Sequence, residues 1–404
     1  MGDKIKRYLF KGDKTIWAVF FILCAISWVE VFSATSGQIK TGSYWSPIIK
    51  HTTFLVAGIV VVWIIHNMKV AWIKKTTHVI YWMGVVGLLW AQFFGPRIND
   101  SARWIIIWGM TIQPMEFAKM GLVMVTALIS AQHQDEEGTD RFALKRIAMY
   151  AALPVLIIFK ENLSTAGIIL ATIYAMMFVS RYPKGQMWKI FGGAIAAGIV
   201  GITLILSAPE SWGEVDGFKQ KIITWKHRIV DAVKSEPVTA ENYVIKNPQR
   251  TYSHIAIASS HILGCGPGNS VQRDFIPHAQ SDFIYAIIIE ELGLLGGIIV
   301  LLLYMTILFR CGMIAKKCED PYPAFLVMGV GMIITMQALL HMYISVGNFV
   351  TGQPLPLISQ GGTSVIINCV YVGMILSISR YAKKATANPK QSFEEIDNEN
   401  NPII

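Results

Sequence analysis

The sequence is poor in charged residues, which make up 15% of its 404 positions, whereas hydrophobic residues make up 53%. Because a soluble domain carries about 25% charged residues, this composition excludes an ordinary soluble protein. The mean hydropathy is +0.47, and several apolar runs are long enough to cross a bilayer. The composition therefore predicts a polytopic membrane protein.

Cysteine provides neither a disulfide framework nor a zinc-binding pattern. The five cysteines are odd in number and scattered: Cys24, Cys265, Cys311, Cys318 and Cys369. The net charge of +9 needs no nucleic-acid partner, because lysine and arginine collect in the cytoplasmic loops of membrane proteins. The sequence also lacks the internal repeat typical of many secondary transporters, which argues against transport.

Hydrophobic runs predict an all-α fold with about ten membrane-spanning helices, two of them short or tilted. The runs lie near 15–34, 48–66, 76–94, 114–132, 147–160, 164–180, 188–207, 283–309, 323–346 and 363–380. Without a short apolar region and a small-residue cleavage site, the first span is expected to be an uncleaved anchor. We expect a cytoplasmic segment 1–14, one transmembrane domain 15–382, and a disordered cytoplasmic tail 383–404.

Basic residues precede the first predicted span and follow every second span after it. On one side lie Lys4, Lys6, Arg7, Lys11, Lys14, Lys69, Lys74, Lys75, Arg141, Lys145, Arg146, Arg181, Lys184, Lys189, Arg310, Lys316, Lys317, Arg380, Lys383 and Lys384. The positive-inside rule makes this side, and so both termini, cytoplasmic. On the outer side, the long connection 208–282 holds Trp212 and Trp225, which suit an interfacial helix. Its glycine-rich stretch 264–269 needs a tight backbone path.

Asp282 ends the polar segment 277–282, and an apolar run from Phe283 to about Phe309 follows at once. A carboxylate at the outer lip of a span is costly and usually faces a cavity, a partner or a substrate. A helix N-cap explains the same residue equally well, since aspartate before an apolar run accepts free N–H groups. Both interpretations stay open from the residues alone.

Two charges lie close together at the outer end of the fourth span. Pro114 fits the first turn of a helix, and Glu116 and Lys119, three residues apart, share one helix face. An ion pair that lets both charges enter the bilayer is one interpretation, and direct substrate contact is the other. Arg103 lies outside the span, where it can meet lipid phosphate or extend towards water.

A compact polar segment, 160–165, separates two short apolar runs on the outer side. It contains Glu161 and Asn162, which are candidates for substrate contact. A hairpin turn explains their polarity, and the lining of a cavity is the alternative.

A second irregular segment, 351–364, contains two prolines and three glycines, which prevent a regular helix. Non-helical backbone at membrane depth must be buried in protein or line a wet cavity. Ser359, Gly361, Gly362 and Thr363 lie just before a new span, where free N–H groups form a candidate anion site. A re-entrant linker without a ligand is the alternative.

Three segments, 113–119, 277–283 and 351–364, together resemble the signature segments of the SEDS (shape, elongation, division, sporulation) family. The resemblance extends from about residue 15 to 382 and includes Ser-Ala-Thr-Ser at the end of the first span. Gly-Pro-Gly-Asn-Ser-Val-Gln at 266–272 and Glu-Glu-Leu-Gly at 290–293 look closest to the division members, with the rod-elongation members as near neighbours.

The resemblance implies a ten-helix peptidoglycan glycosyltransferase that polymerises lipid II, the undecaprenyl-pyrophosphate-linked disaccharide peptide, outside the inner (cytoplasmic) membrane. It implies a class B penicillin-binding protein and other division proteins as partners, with the septum as location. On this view Asp282 is the essential aspartate, Glu116 and Lys119 are the buried pair, and Arg103 is the outer arginine. Asp282 then serves as general base, while Arg103, Lys119 and N–H groups near Gly361 meet the pyrophosphate. No cofactor is evident, and a divalent cation is compatible with this chemistry.

The chain departs from the family pattern in three places. Lys-Glu-Asn-Leu-Ser-Thr at 160–165 replaces the usual Gln-Pro-Asp-Leu-Gly-Thr, so Asn162 takes the place of a carboxylate. Gln360 replaces the usual tyrosine, and His278 and Gln280 stand where the loop motif usually has glutamate and histidine. Two other functions stay open: a flippase for a lipid-linked precursor and a non-catalytic division scaffold.

Overall fold

The computed structural model describes residues 11–36, 45–96, 104–107, 110–136, 138–214, 218–233, 248–347 and 352–387. Within these ranges most of the backbone is helical, because helices satisfy their own hydrogen bonds in an apolar medium. The predictions for the segment 1–10, for Arg103 and for the tail beyond 387 lie outside the described residues.

The elements are numbered here in chain order. The helices are α1 Lys14–Ser36, α2 Trp45–Asn67, α3 Val70–Phe94, α4 Pro114–Gln132, α5 Arg141–Glu161, α6 Leu163–Val179, α7 Lys184–Leu206, α8 Phe218–Val233, α9 Pro248–Ser259, α10 Ala279–Asp282, α11 Ile284–Ala315, α12 Pro321–Val346 and α13 Gly362–Ala387. Two small antiparallel hairpins pair β1 Ile105–Ile107 with β2 Met110–Ile112, and β3 Gln134–Asp135 with β4 Gly138–Thr139.

Nine of the described helices are long and apolar enough to cross a membrane, and α6 is a shorter apolar helix between two of them. The expected all-α, ten-helix membrane fold is therefore confirmed. Helix α4 lies at the centre, since 89% of the residues in its most apolar 18-residue stretch are buried. In the corresponding stretch of α7 none of the residues is buried. One large buried cluster joins residues of α1, α4, α11, α12 and α13.

The structure brings together groups that the charge pattern assigns to the cytoplasmic side. Arg310, near the end of α11, forms a salt bridge with Asp13, which also caps α1 by accepting from Thr15 N at 2.9 Å. Burial acts to raise the pKa of Asp13, but the hydrogen bond and charge of Arg310 and the backbone N–H groups bring it below its usual value. Lys383 donates to Gly12 O at 2.7 Å. These contacts place the start of α1 and the ends of α11 and α13 on the same side.

Helix α11 turns sharply at Gly293, where the backbone adopts φ 74° and ψ −179°. Tyr285 Oη donates to Gly297 O at 3.1 Å, although twelve residues of straight helix would separate them by about 18 Å. The apolar run that the sequence predicts as continuous from Phe283 to Phe309 is therefore a hairpin. A short arm, 284–292, packs beside a longer descending arm, 294–315.

Glycine is required at the turn because the outer connection crosses it closely. A side-chain carbon added at Gly293 would lie 2.1 Å from Ile262 O, and one added at Gly264 would lie 2.3 Å from Glu291 O. Both glycines have positive φ, which other residues adopt at a cost. The tight backbone path expected at 264–269 is thus present, and this stretch of the connection passes directly over the Gly293 turn.

Replacing Gly293 with alanine is expected to cost roughly 3 kcal/mol or more, from the unfavourable φ/ψ region and the clash with Ile262 O. The measurement is thermal unfolding in detergent. Gly198→Ala in α7 is the control, because no described residue outside the adjoining backbone of α7 comes within 4 Å of the added carbon there. The control is expected to unfold at or slightly above the wild-type temperature. Equal melting of the two variants would contradict the proposed turn.

Candidate functional site

Residues 352–361, called the proline loop here, form the centre of the candidate site. Pro354 and Pro356 have no backbone N–H and prevent a helix, so the loop carbonyls need partners from other elements. Side chains of α1, α11 and α12 donate to four of them: His341 Nδ1 to Gln353 O at 2.6 Å, Gln337 Nε2 to Pro354 O at 3.0 Å, Tyr304 Oη to Pro356 O, and Ser27 Oγ to Ile358 O at 2.7 Å. The interior of the helix bundle therefore holds this loop in one conformation.

The proline loop lies directly against the segment that ends at Asp282. Ser359 Oγ donates to Ser281 O at 2.7 Å, and Gln360 N donates to Gln280 O at 2.9 Å. A side-chain carbon added at Gly352 would lie 3.5 Å from Asp282 Oδ2. The Asp282 carboxylate therefore faces the backbone at the start of the proline loop.

The third family segment joins the other two at the start of α13. Gln113 N, just before α4, donates to Thr363 Oγ1 at 3.3 Å. The three segments 113–119, 277–283 and 352–364 are thus brought together from positions far apart in the chain. Three of the predicted site residues form contacts between these segments: Asp282, Ser359 and Thr363.

Asp282 is recessed in the structure, which differs from its expected place at the outer lip of a straight span. It ends the short helix α10, and the residue that precedes α11 as its N-cap is Phe283, whose side chain forms no cap hydrogen bond. The short arm between Asp282 and Gly293 spans about 13 Å. Tyr304, eleven residues down the descending arm, reaches the proline loop that contacts Ser281. The N-cap interpretation of Asp282 is therefore not supported, and its half-buried carboxylate lies well below the Gly293 turn.

The ion pair that the spacing of Glu116 and Lys119 predicts is present and buried. Lys119 Nζ lies 2.8 Å from Glu116 Oε1, and the two side chains are 4% exposed for Glu116 and 1% for Lys119. Lys119 also donates to Gln337 Oε1 at 2.9 Å, and Gln337 in turn holds Pro354 O. Glu116 Oε2 has no hydrogen-bond partner among the described residues. The pair links α4 to α12 and, through Gln337, to the proline loop.

The segment 160–165 forms the tight turn between α5 and α6. Asn162 Oδ1 accepts from Thr165 N at 3.2 Å and caps α6, so the amide in place of the usual carboxylate serves as a helix cap. Glu161 forms a salt bridge of 2.7 Å with Lys221 of α8. Thr165 Oγ1 accepts from Gln353 Nε2 in the proline loop. The hairpin-turn interpretation of Asn162 is supported, and the turn also borders the site.

Gly361 and Gly362 lie where α13 begins, with first-turn N–H groups that lack an intrahelical acceptor. A side-chain carbon added at Gly362 would lie 3.0 Å from Phe54 Cζ of α2, so close packing of α2 and α13 explains this glycine. Among the described residues, a carbon added at Gly361 would meet the Ser364 side chain alone, at 2.7 Å from Oγ. Substitution at Gly362 therefore probes helix packing, and Gly361 is the better position for testing an anion site.

Sequence reasoning missed the structural role of Glu290 and Glu291. Two adjacent acidic residues in an otherwise apolar run were the signal that could have revealed it. Glu291 accepts from Gly268 N at 2.8 Å and from Ser270 N at 3.2 Å, while Glu290 accepts from Val271 N at 3.0 Å and Gln272 N at 3.2 Å. Both side chains are buried and fix the stretch 264–273 at the Gly293 turn. They hold the outer connection in place.

Cys265 in this stretch is not activated for nucleophilic chemistry. Although Cys265 is exposed, partial desolvation raises the pKa of its thiol, and the nearby Glu290 and Glu291 carboxylates raise it further. No group of three histidine, cysteine, aspartate or glutamate side chains within the described ranges is arranged to hold a metal ion. The proposed chemistry remains compatible with a divalent cation, as the sequence indicates.

Comparison with known proteins agrees with the resemblance drawn from the motifs. A model of the FtsW/RodA/SpoVE family, described as cell cycle proteins, matches residues 13–384. A relative from Halomonas elongata, named "Probable peptidoglycan glycosyltransferase FtsW", is 28% identical over 374 residues, covering 90% of this chain and 89% of the relative.

Two solved structures share the fold. A chain of a peptidoglycan synthase complex that coordinates polymerization and crosslinking gives a TM-score of 0.70 at 18% identity, covering 91% of this chain and 98% of that chain. The rod shape determining protein RodA of Thermus thermophilus gives a TM-score of 0.62 at 17% identity, with 91% and 97% covered. The family match over nearly the full length shows that the chain belongs to the FtsW/RodA/SpoVE family, the SEDS family that its motifs predict.

Proposed function

We propose that this chain is a peptidoglycan glycosyltransferase that polymerises lipid II into glycan strands at the outer side of the inner membrane. The observation that carries the proposal is the meeting of three family segments around the Asp282 carboxylate on a rigidly held proline loop. The activity named for the relative from Halomonas elongata, which aligns with 90% of this chain, supports it.

In the proposed reaction, a hydroxyl oxygen of one lipid-linked glycan bonds to the anomeric carbon of another. The bond from that carbon to the pyrophosphate oxygen breaks, and the pyrophosphate leaves with the electron pair. Asp282 takes the hydroxyl proton as general base. Because pyrophosphate is already a good leaving group, no second carboxyl group is needed as an acid, and only its negative charge must be stabilised.

The recessed position of Asp282 suits this chemistry. A base that is half-buried against the backbone of Gly352 lies in a less polar setting than one on the surface, and electrostatic interactions are stronger there. The two lipid tails can stay in the bilayer beside the helices while the reacting sugars enter the recess from outside. We assign Glu116 and Lys119 to holding this recess together, since both side chains are buried and paired.

The pyrophosphate is proposed to bind near the start of α13, with Arg103 as the cationic partner. Helix α13 is 26 residues long, and the N–H groups of such a helix end attract anions. Thr363 in its first turn already contacts Gln113 from the segment that leads into α4. The anion site would therefore adjoin the three meeting segments.

Gly361→Asp is expected to weaken lipid II binding by roughly tenfold or more, because the aspartate carboxylate would occupy the proposed anion site and repel the pyrophosphate. Gly361→Asn is the matched control, since it can cap the helix without a charge. Binding is measured with fluorescent lipid II, and co-purification of the partner checks that the fold is intact. Equal binding by the Asp and Asn variants would rule out the anion site.

We propose that the chain acts in cell division, at the septum, with a class B penicillin-binding protein and other division proteins. The relatives named FtsW support the division role, and the fold shared with a chain of a synthase complex supports an enzymatic partner. The contacts of Arg310 with Asp13 and of Lys383 with Gly12 support a shared, cytoplasmic side for both ends of the transmembrane domain.

The test is reconstitution of the purified chain, with its proposed partner, in vesicles containing labelled lipid II. Glycan polymers resolved by electrophoresis are the expected product. A parallel assay follows transfer of fluorescent lipid II between leaflets, which a flippase would accelerate. Transfer without polymer would favour the flippase, and neither activity, from folded protein that binds its partner, would favour the scaffold.

A further inference from the structure

His341 is a fully buried histidine in α12 that belongs to none of the three family segments. Its Nδ1 lies 2.6 Å from Gln353 O. Because a carbonyl oxygen can only accept, Nδ1 carries the proton and donates. Nε2 is buried and has no partner in the part of the chain that the structure describes. The contact with Gln353 is therefore the hydrogen bond through which this side chain acts.

Gln353 is fixed at both its backbone and its side chain. His341 holds its carbonyl from α12, and its own Nε2 donates to Thr165 Oγ1 on α6. The preceding residue, Gly352, lies against the Asp282 carboxylate, at 3.5 Å from the position of an added side-chain carbon to Oδ2. The hydrogen bond of His341 thus lies one residue away from the backbone that faces the proposed base.

We infer that His341 is a positioning residue for the reaction at Asp282: its Nδ1–H fixes Gln353 and so sets the Gly352 backbone against the Asp282 carboxylate. The inference rests on the proposed function, because it concerns the rate of that reaction. A misplacement of about 1 Å near a reacting group can cost on the order of 100-fold in rate. His341 therefore acts on the turnover number more than on substrate binding.

His341 is better suited to this test than Gln337, the other α12 residue that holds the proline loop. Gln337 also accepts from Lys119, so its removal would disturb the buried ion pair as well as the loop. Among the described residues, the side chain of His341 forms a hydrogen bond only with the proline loop. Ser345 Oγ donates to the backbone carbonyl of His341 and not to its side chain. A change at His341 therefore isolates the loop contact.

The test compares His341→Asn with His341→Leu in the polymerisation assay. Asparagine and leucine have similar shapes, but only asparagine places an amide donor near the position of Nδ1. We expect His341→Leu to lower kcat by roughly 10- to 100-fold, with KM within about threefold of wild type. His341→Asn is expected to keep kcat within about threefold.

His66→Leu serves as control, because His66 is an equally buried histidine on α2 that packs against the Trp17 ring, away from the family segments. It is expected to keep wild-type kcat, and melting curves accompany all variants. Retention of wild-type kcat by His341→Leu would overturn the inference. A decrease of more than tenfold in the kcat of His341→Asn would also overturn it. If the leucine variant does not fold, the asparagine variant alone provides the test. Inactive wild-type protein would instead count against the proposed function.

Discussion

Asp282→Asn is expected to lower the rate of lipid II polymerisation by roughly 100-fold or more, the usual loss when a general base is removed. Asparagine keeps the size of the side chain and its ability to accept hydrogen bonds, but it does not take up the hydroxyl proton. The structure removes the main competing explanation, because Asp282 is not the N-cap of α11 and its substitution does not uncap a span. The expected unfolding temperature is therefore close to that of wild type.

Asp274→Asn is the matched control for this result. Asp274 lies on the same outer connection, and its side chain is 52% exposed, with Arg273 at 3.7 Å as its ion-pair partner. Such an exposed pair contributes less than about 1 kcal/mol, so near-normal polymerisation is expected. Near-normal turnover by folded Asp282→Asn protein would exclude Asp282 as the base.

Removing either charge of the Glu116–Lys119 pair is expected to destabilise the protein by roughly 3–5 kcal/mol, because the remaining charge would be buried without its partner. Glu116→Gln and Lys119→Met are the single variants, and thermal unfolding in detergent is the measurement. The double variant, which buries no net charge at this position, is expected to recover most of the loss. A pair that contacts substrate would instead show unchanged melting and lost activity.

The charge swap Glu116→Lys with Lys119→Glu is expected to rescue stability only in part. Gln337 accepts from Lys119 through Oε1 while its Nε2 donates to Pro354 O. A glutamate at 119 would face that acceptor oxygen, and turning the amide would release the proline loop. Full recovery in the swap would show that Gln337 does not couple the pair to the loop.

Much of the transmembrane architecture could be predicted because it depends on local patterns. Apolar runs predicted the nine described spans and the shorter apolar helix α6, and the three-residue spacing of Glu116 and Lys119 predicted their shared helix face. The basic residues predicted which ends lie together, as the contact between Arg310 and Asp13 shows. Each of these features is set by residues within a few turns of one another or by the bilayer itself.

The recess around Asp282 depends on contacts between distant residues, which no local pattern reveals. Gly293 lies in a run that is apolar apart from Glu290 and Glu291, and only the close approach of Ile262 shows why the chain must turn there. Similarly, the sequence predicts that Gly362 belongs to an anion site, whereas the structure shows that it packs against Phe54. His341 carried no signal in the sequence, because its role depends on a carbonyl of the proline loop.

The most direct test of the central claim is a structure of the Asp282→Asn protein bound to lipid II, determined by electron cryomicroscopy. The slow variant should hold two substrates without consuming them. We predict that the acceptor hydroxyl lies about 2.6–3.2 Å from the substituted side chain at position 282, with the donor pyrophosphate near the first turn of α13. Substrate bound elsewhere, with its reacting hydroxyl beyond the reach of that side chain, would contradict the account.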